Sequence, residues 1–543
     1  MGKAQLLKGE WLLLLALVLG SYLRIHSLSE QIPADDEWHA LRASYDKRFE
    51  SIVSHFGQAD YCIPLALYDK MMLNTVGLSE VLMRIPMLVC GIASLVLLPL
   101  FVRTWVGKGE SILLAWLLAV APMHVYFSRY ARPYGIALLL GFTGVIAAFR
   151  WWSGESRRWA VLFGAGTLLA TYFTLTMLPL IVLPFVFFIA EGLLRNKDST
   201  ARRWCEVKNL GLAIGLGAIL LLAFPLVHDF ENLSQKAKPA TDLSWHSVRY
   251  ALDYLFSADK ASVLLVMGLF ALVGVFRMAR CAPRPLWYLG FLALLQILFL
   301  LVARPALLSH PYILARYSIV LMAIALLLVS MGIGWVEALL RRKFHRFPPG
   351  LLAPPAALAL LFYGPLMPLY AGPNNWTNHG LFQYQYEPEL QRGWASGLVR
   401  SVPVFYLELG KQKPGSMRIL EAPWYYEWGN NPYPVYQKFH KQWMAIGFVA
   451  SPDRRERDDE YPLHDPRFRF RNFIDVGNEA EMRQRGVRYV VFHRNLAAEI
   501  PRPIDKPRIN VEPWIERYRS VHGNPVFEDP QIIVFDLEKQ PEA

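Results

Sequence analysis

Between residues 33 and 39 the chain reads Pro33, Ala34, Asp35, Asp36, Glu37, Trp38, His39, three consecutive carboxylates beside a tryptophan and a histidine. A carboxylate within hydrogen-bond reach of a hydroxyl or amine takes up its proton as it attacks, and crowded carboxylates repel unless they share a proton or a cation. The run suits a general base. It also suits a solvated helix N-terminus, where acids favour the dipole. A divalent cation is a further reading, with Asp35, Asp36 and His39 as ligands, because i, i+3 spacing places Asp36 and His39 on one helical face. Oxygen ligands favour Mg²⁺ or Mn²⁺, the lone histidine favours Zn²⁺, and one loop supplies too few ligands to decide.

A second constellation is basic. Arg84 begins an apolar run, Ser128, Arg129, Tyr130, Ala131, Arg132, Pro133 and Tyr134 form a tight turn between two such runs, and Arg304, His310, Arg316 and Tyr317 lie between two more. Arginine offers a planar fork of donors that matches phosphate and does not readily lose its proton, so several of them converging suggest a phosphate pocket. Snorkelling to a membrane interface, or pairing with the carboxylates, explains any one of them but explains the set less well.

The elements that must hold these residues are membrane spans. Of 543 residues, 54% are hydrophobic, 13% aromatic and only 18% charged, more apolar side chain than one soluble core can bury. A bilayer core about 30 Å thick needs roughly 20 apolar residues per helix. Eleven such runs are expected, at 10–28, 81–102, 110–127, 136–151, 159–174, 179–194, 210–227, 261–276, 286–303, 318–340 and 350–370. The first carries Arg24 and His26 at its far end and no small-residue cleavage site, so it reads as an uncleaved anchor. With the N-terminus cytoplasmic, the inside segments hold 19 Lys and Arg against three acids, whereas the outside segments hold 12 against 14 acids. This bias and the odd span count put the acidic loop 29–80, all the singled-out arginines and the C-terminal tail on the outer face. The net charge of +12 is thus mostly an orientation signal, and a nucleic-acid partner is not expected. Of four cysteines only Cys62 falls outside, so no disulfide is expected, which fits a bacterial inner membrane with a periplasmic tail.

Residues 371–543 change composition to Pro, Tyr, Trp, Asn and charged types. β-like runs at Met417–Glu421, Trp443–Val449, Arg488–His493 and Gln531–Leu537 alternate with helical ones at Glu479–Arg485 and Trp514–Val521. Asn478 can cap the first helix with Glu481 three residues on, and Gly486 can end it before a buried strand. The tail therefore reads as an α/β domain following a helical membrane bundle at 1–370, with 450–470 an exposed loop.

Acids and bases on one membrane face make a coherent reaction centre. A polyprenyl-phosphate sugar presents its phosphate at the bilayer edge, arginines neutralise charge growing on the departing phosphate, and a carboxylate activates the acceptor. Nucleotide sugars are not expected outside the cytoplasm, which leaves a lipid donor. At this point the sequence resembles a family. Asp36-Glu37 after the first span, GLSEVLMRIPMLVCG at Gly77–Gly91, SRYARPY at Ser128–Tyr134, and Arg316-Tyr317 before an apolar span are together similar to membrane glycosyltransferases of the GT-C superfamily, in the bacterial branch related to protein O-mannosyltransferases and lipid A aminoarabinose transferases.

The resemblance covers about the first 320 residues. It implies inverting transfer of a sugar from polyprenyl phosphate, undecaprenyl phosphate in bacteria, to a lipid, glycan or protein acceptor. It places the family's acidic pair on Asp36 and Glu37, with Asp35 as neighbour, and its arginines on Arg84 and Arg132. Many relatives carry His or Lys before Pro-Pro-Leu in the first loop, whereas this chain has Tyr61, Cys62, Ile63, Pro64, Leu65, leaving Asp60 or Tyr61 to contact the headgroup. With Asp36 as general base and Glu37 or Asp35 as its partner, the main expectation is a glycosyltransferase. An O-antigen-ligase-like enzyme is a second reading. A non-catalytic lipid-glycan transporter or assembly scaffold is a third, which should show polar mid-membrane residues where these spans have only a few Ser, Thr and Gln.

Overall fold

The computed structural model describes residues 10–26, 28, 37, 43–44, 47–56, 62–195, 200–236, 244–258, 260–305, 308–344, 348–366, 402–422, 433–444, 476–494 and 511–538. Asp35, Asp36, His39, Asp60, Tyr61 and the loop 450–470 lie outside these residues. The chain divides into two compact units, one of Met1–His26, Phe49–Leu67 and Arg84–Pro368, the other of Ser27–Arg48, Tyr68–Met83 and Leu369–Ala543.

The first unit is helical, because in lipid each apolar run must satisfy its own backbone hydrogen bonds. Among the described residues seven helices are long and apolar enough to cross a membrane, within 80–106, 134–152, 175–194, 204–235, 261–281, 283–303 and 319–343. An eighth span is broken, Lys108–Val120 and Pro122–Arg129 meeting at 59°. The three other expected spans are helices Glu10–Ile25 and Arg158–Phe173, of 16 residues each, and Ala353–Tyr363, of 11. At 1.5 Å per residue these are shorter than a hydrocarbon core about 30 Å thick. The protein is an integral membrane protein with a helix in every expected span.

Small residues let helices approach closely. A Cβ on Gly274 would sit 1.8 Å from the Leu328 carbonyl oxygen, and one on Gly332 would sit 2.0 Å from that of Phe270, so Ala261–Cys281 and Ile319–Lys343 pack backbone to backbone. The break at Ala121 has an equally local cause. Pro122 has no N–H to give the Leu118 carbonyl, so the preceding helix ends with unsatisfied oxygens in a buried place. Arg24 supplies the donors: Nη2 reaches Leu118 O at 3.0 Å and Nη1 reaches Ala119 O at 3.1 Å, while Nε donates to Ser128 Oγ at 3.1 Å.

The second unit contains a five-stranded sheet in the order β2-β1-β3-β5-β4, with β1 Arg418–Ala422, β2 Trp443–Met444, β3 Val487–His493, β4 Phe527–Glu528 and β5 Ile532–Asp536. β1 runs parallel to β2 and β3, while β5 is antiparallel to β3 and β4. Both faces are covered. Val491, Ile532 and Val534 face Tyr406 and Tyr436 of helices Val404–Leu409 and Tyr433–His440, whereas Val490, Ile533 and Phe535 face Met482 and Tyr518 of helices Glu479–Gln484 and Glu512–His522. Asn478 caps Glu479–Gln484 as expected, its side chain accepting from the Glu481 N–H at 3.1 Å.

Candidate functional site

The helix Pro122–Arg129 leads into a sharp turn, closed by the Arg132 N–H donating to Tyr130 O at 2.7 Å, and Tyr134 then opens the next helix. The helix Pro311–Tyr317 comes from the far end of the bundle sequence. An aromatic cluster joins the two: Tyr312 packs edge-on to Tyr126 at 6.0 Å and stacks on Phe127 at 6.1 Å. Arg132 and Arg316, 184 positions apart in the chain, thereby reach one cavity of about 360 Å³, which Tyr134 and Tyr317 also line.

Only 8% and 9% of Arg132 and Arg316 are exposed. The Arg316 guanidinium lies 5.3 Å from the Tyr134 ring centre, 5.6 Å from Tyr312 and 5.5 Å from Tyr317, a cation held by π faces at the edge of an open space. Two nearly buried guanidinia, planar forks of donors facing one cavity, attract an anion that offers several acceptor oxygens, the chemistry of phosphate. The wall is completed in part by Phe56, whose N–H donates to the buried carboxylate of Asp229, and by Cys62 and Tyr172.

The other basic residues are placed differently. Arg129 is fully buried, and its Nη1 donates to the carbonyls of Leu23 at 3.1 Å and His26 at 2.6 Å, capping the end of Glu10–Ile25. Arg129 thus closes the helix that carries Arg24, and Arg24 closes Lys108–Val120, the helix just before the one that carries Arg129. Arg84 is also fully buried, in the helix Glu80–Val106, and is not among the residues that line the cavity. Arg304 is exposed and ends the helix Pro283–Ala303 in a left-handed conformation, φ 42°, while its neighbours Ala303 and Pro305 line the cavity. His310 caps the helix that carries Arg316; burial, and then the positive charge of Arg316, lower its pKa and favour the neutral ring.

Of the acidic run only Glu37 is described, and it is fully buried in the second unit. A residue missed by sequence reasoning lies within electrostatic reach of it. Asp69, on the helix Ile63–Thr75, is 1% exposed, and burial, followed by the charge of Glu37, raises its pKa well above the usual carboxylate range. A lone Asp on a short, mostly apolar helix gave no signal. Thr174, Leu175 and Thr176, in the uncharged turn between two nearly fused spans, also line the cavity. Among the described residues no three His, Cys, Asp or Glu side chains gather as a metal site requires.

The C-terminal domain holds a closed polar cluster. Tyr406 donates to Glu421 at 2.8 Å, and His493 Nε2 lies 2.6 Å from the same carboxylate, all three buried among Tyr433 and Tyr436. Burial, followed by the Glu421 charge, pushes the Tyr406 phenol well above its ordinary pKa.

No protein-family model matches the chain, and neither does any curated protein. Among solved structures, ArnT from Cupriavidus metallidurans in the apo state superposes with a TM-score of 0.50 at 16% identity, over 97% of this chain and 98% of that one. ArnT bound to undecaprenyl phosphate gives 0.49 at 14% identity, over 98% and 100%. The Archaeoglobus fulgidus oligosaccharyltransferase gives 0.43 at 13% identity, over 90% of this chain and 68% of that. The chain shares the fold of ArnT over 97% of its length, the fold that the sequence resemblance implies.

Proposed function

We propose that the protein is a glycosyltransferase that moves a sugar from a polyprenyl phosphate to an acceptor at the outer face of a bacterial inner membrane, with inversion at the anomeric carbon. The N-terminus is cytoplasmic and the domain 371–543 periplasmic, an orientation supported by the excess of Lys and Arg in the inside segments. The observation that carries the reading is the convergence of Arg132, Arg316, Tyr134 and Tyr317 on one cavity of the bundle.

In this reading the acceptor oxygen bonds to the anomeric carbon as the bond from that carbon to the phosphate oxygen breaks. The electron pair leaves with the phosphate, where Arg132 and Arg316 stabilise the growing charge. The acceptor proton passes to the carboxylate of Asp36, with Glu37 or Asp35 as its partner. Arg84 and Arg304 belong to the phosphate set as outer contributors, and Asp60 and Tyr61 to the headgroup. Arg129 supports the turn through backbone carbonyls. Undecaprenyl phosphate, which ArnT holds in one of its structures, is the first lipid to test.

The test measures sugar transfer in membranes from radiolabelled undecaprenyl-phosphate sugars, for wild type, Asp36→Asn and Arg132→Gln, with and without a chelator. Asp36→Asn is expected to fold and lose most transfer. Arg132→Gln is expected to weaken donor use by about ten- to hundredfold, the scale of one or two charge-assisted hydrogen bonds. A chelator effect would bring Asp35, Asp36 and His39 together as cation ligands. Donor left unconsumed by wild type across the panel would count against the enzyme and for a ligase-like or transport role.

A further inference from the structure

Arg24 is fully buried in the bundle, and each of the five N–H groups of a guanidinium has an acceptor there. Nε donates to Ser128 Oγ at 3.1 Å, Nη1 to the carbonyls of Gly20 at 2.7 Å and Ala119 at 3.1 Å, and Nη2 to the Leu118 carbonyl at 3.0 Å and to His124 Nδ1 at 2.5 Å. A guanidinium cannot accept, so Nδ1 is the bare nitrogen of the His124 ring. These acceptors belong to three helices: Gly20 to Glu10–Ile25, Leu118 and Ala119 to Lys108–Val120, and His124 and Ser128 to Pro122–Arg129. Closing the broken helix end needs only the two carbonyls of Leu118 and Ala119. The contacts to His124 and Ser128 lie beyond the break, and they hold the short helix at its 59° bend.

That short helix runs directly into the turn of Arg132, and the junction is tight. Ser128 Oγ passes its own proton to the His124 carbonyl at 2.6 Å, and a Cβ on Gly135 would sit 2.6 Å from Phe127 O, so Tyr134–Trp152 begins in backbone contact with Pro122–Arg129. A shift of the short helix is therefore passed on to Arg132. Arg24 is not among the described residues that line the cavity. We propose that Arg24 is a positioning residue of the donor-phosphate site: through Ser128 and His124 it sets the helix whose turn presents Arg132 to the cavity. The inference rests on the polyprenyl-phosphate reading above. It also makes the fork of donors, and not the charge, the property that matters, because the three N–H groups of a lysine radiate from one nitrogen and cannot span acceptors on three helices.

The test is a double-variant cycle read as Kd for undecaprenyl phosphate, with the full chain in nanodiscs and at a temperature where each protein is folded by its own melt. Arg24→Lys keeps the charge and loses the fork. It is expected to raise Kd about tenfold in the wild-type background but less than about twofold in Arg132→Gln, where the contact it positions is already gone. Ser128→Ala removes one side-chain link and leaves the carbonyl contacts, and is expected to show the same pattern at about threefold. A role confined to stability would lower Tm and leave the Kd of the folded protein unchanged, or raise it equally in both backgrounds, and either result overturns the positioning role alone. If Arg24→Lys does not fold, Ser128→Ala decides by the same criterion. No binding of undecaprenyl phosphate by wild type overturns the donor reading and this inference together.

Discussion

At the scale of single residues, residue type and burial together decide what a charged group does. Arg129 and Arg132 stand three positions apart in one turn motif, yet Arg129 spends donors on the carbonyls of Leu23 and His26, and Arg132 lines an open cavity. Asp69 offers a sharper case, because its neutral form is favoured by burial and by the neighbouring charge of Glu37. A carboxyl whose folded pKa lies above its unfolded value near 3.9 binds an extra proton in the folded state between the two values. Its contribution to stability is complete below about pH 3.9 and is lost as pH rises through the folded pKa. Asp69→Asn should therefore be at least as stable as wild type at neutral pH, and its Tm advantage should shrink as pH falls towards 4. Paired thermal melts of the two proteins across that window check this, and an advantage that grows on acidification would mean that Asp69 is ionised in the fold. The sequence showed the types of these residues and their placement in loops or turns between apolar runs. It could not show the partners, since a guanidinium meets a phosphate and a helix-end carbonyl with the same donors.

At the scale of elements, the apolar runs were legible because a membrane helix satisfies its backbone within its own sequence, and each expected run contains a helix. The break at Ala121 to Pro122 was less legible, since it depends on Arg24 arriving from a helix about a hundred residues earlier to satisfy the freed carbonyls. The broken segment is also fixed by a glycine. A Cβ on Gly91 would lie 2.0 Å from Ser128 Oγ and 2.5 Å from its Cβ, so helix Glu80–Val106 touches Pro122–Arg129 where only hydrogen fits. Gly91→Val should push the two helices apart and shift the turn that carries Arg132, although Gly91 is not among the residues lining the cavity. Overpacking of this kind costs about 1–3 kcal/mol. The expected outcome is a lower melting temperature together with a raised Kd for undecaprenyl phosphate, whereas an equally bulky change at the lipid-exposed Leu265 should move neither. A Gly91→Val protein with wild-type Kd would show that the turn is held independently of this contact.

At the scale of the whole molecule, the two compact units do not follow the order of the chain. Segments 27–48 and 68–83, which contain the acidic run, Glu37 and Asp69, belong to the same unit as the C-terminal α/β domain, while the described residues that line the cavity with Arg132 and Arg316 belong to the other. Four of the five strands and the Asn478 cap were readable in the sequence, but the strand Phe527–Glu528 and this grouping were not, because contacts between segments hundreds of residues apart leave no local pattern. It carries a consequence for the proposed reaction. In the proposed reaction, lipid-phosphate binding depends on residues of the first unit, and proton removal on carboxylates whose unit also includes residues 369–543. A protein truncated after Pro368 should keep its affinity for undecaprenyl phosphate to within a few fold and lose transfer, because the acidic segments would no longer have the rest of their unit to pack with. Equilibrium binding of the lipid phosphate and a transfer assay on the same preparation separate the two effects. Retained transfer would show that the bundle alone sets the geometry of the carboxylates. Loss of binding as well would show that the cavity needs the C-terminal domain to form.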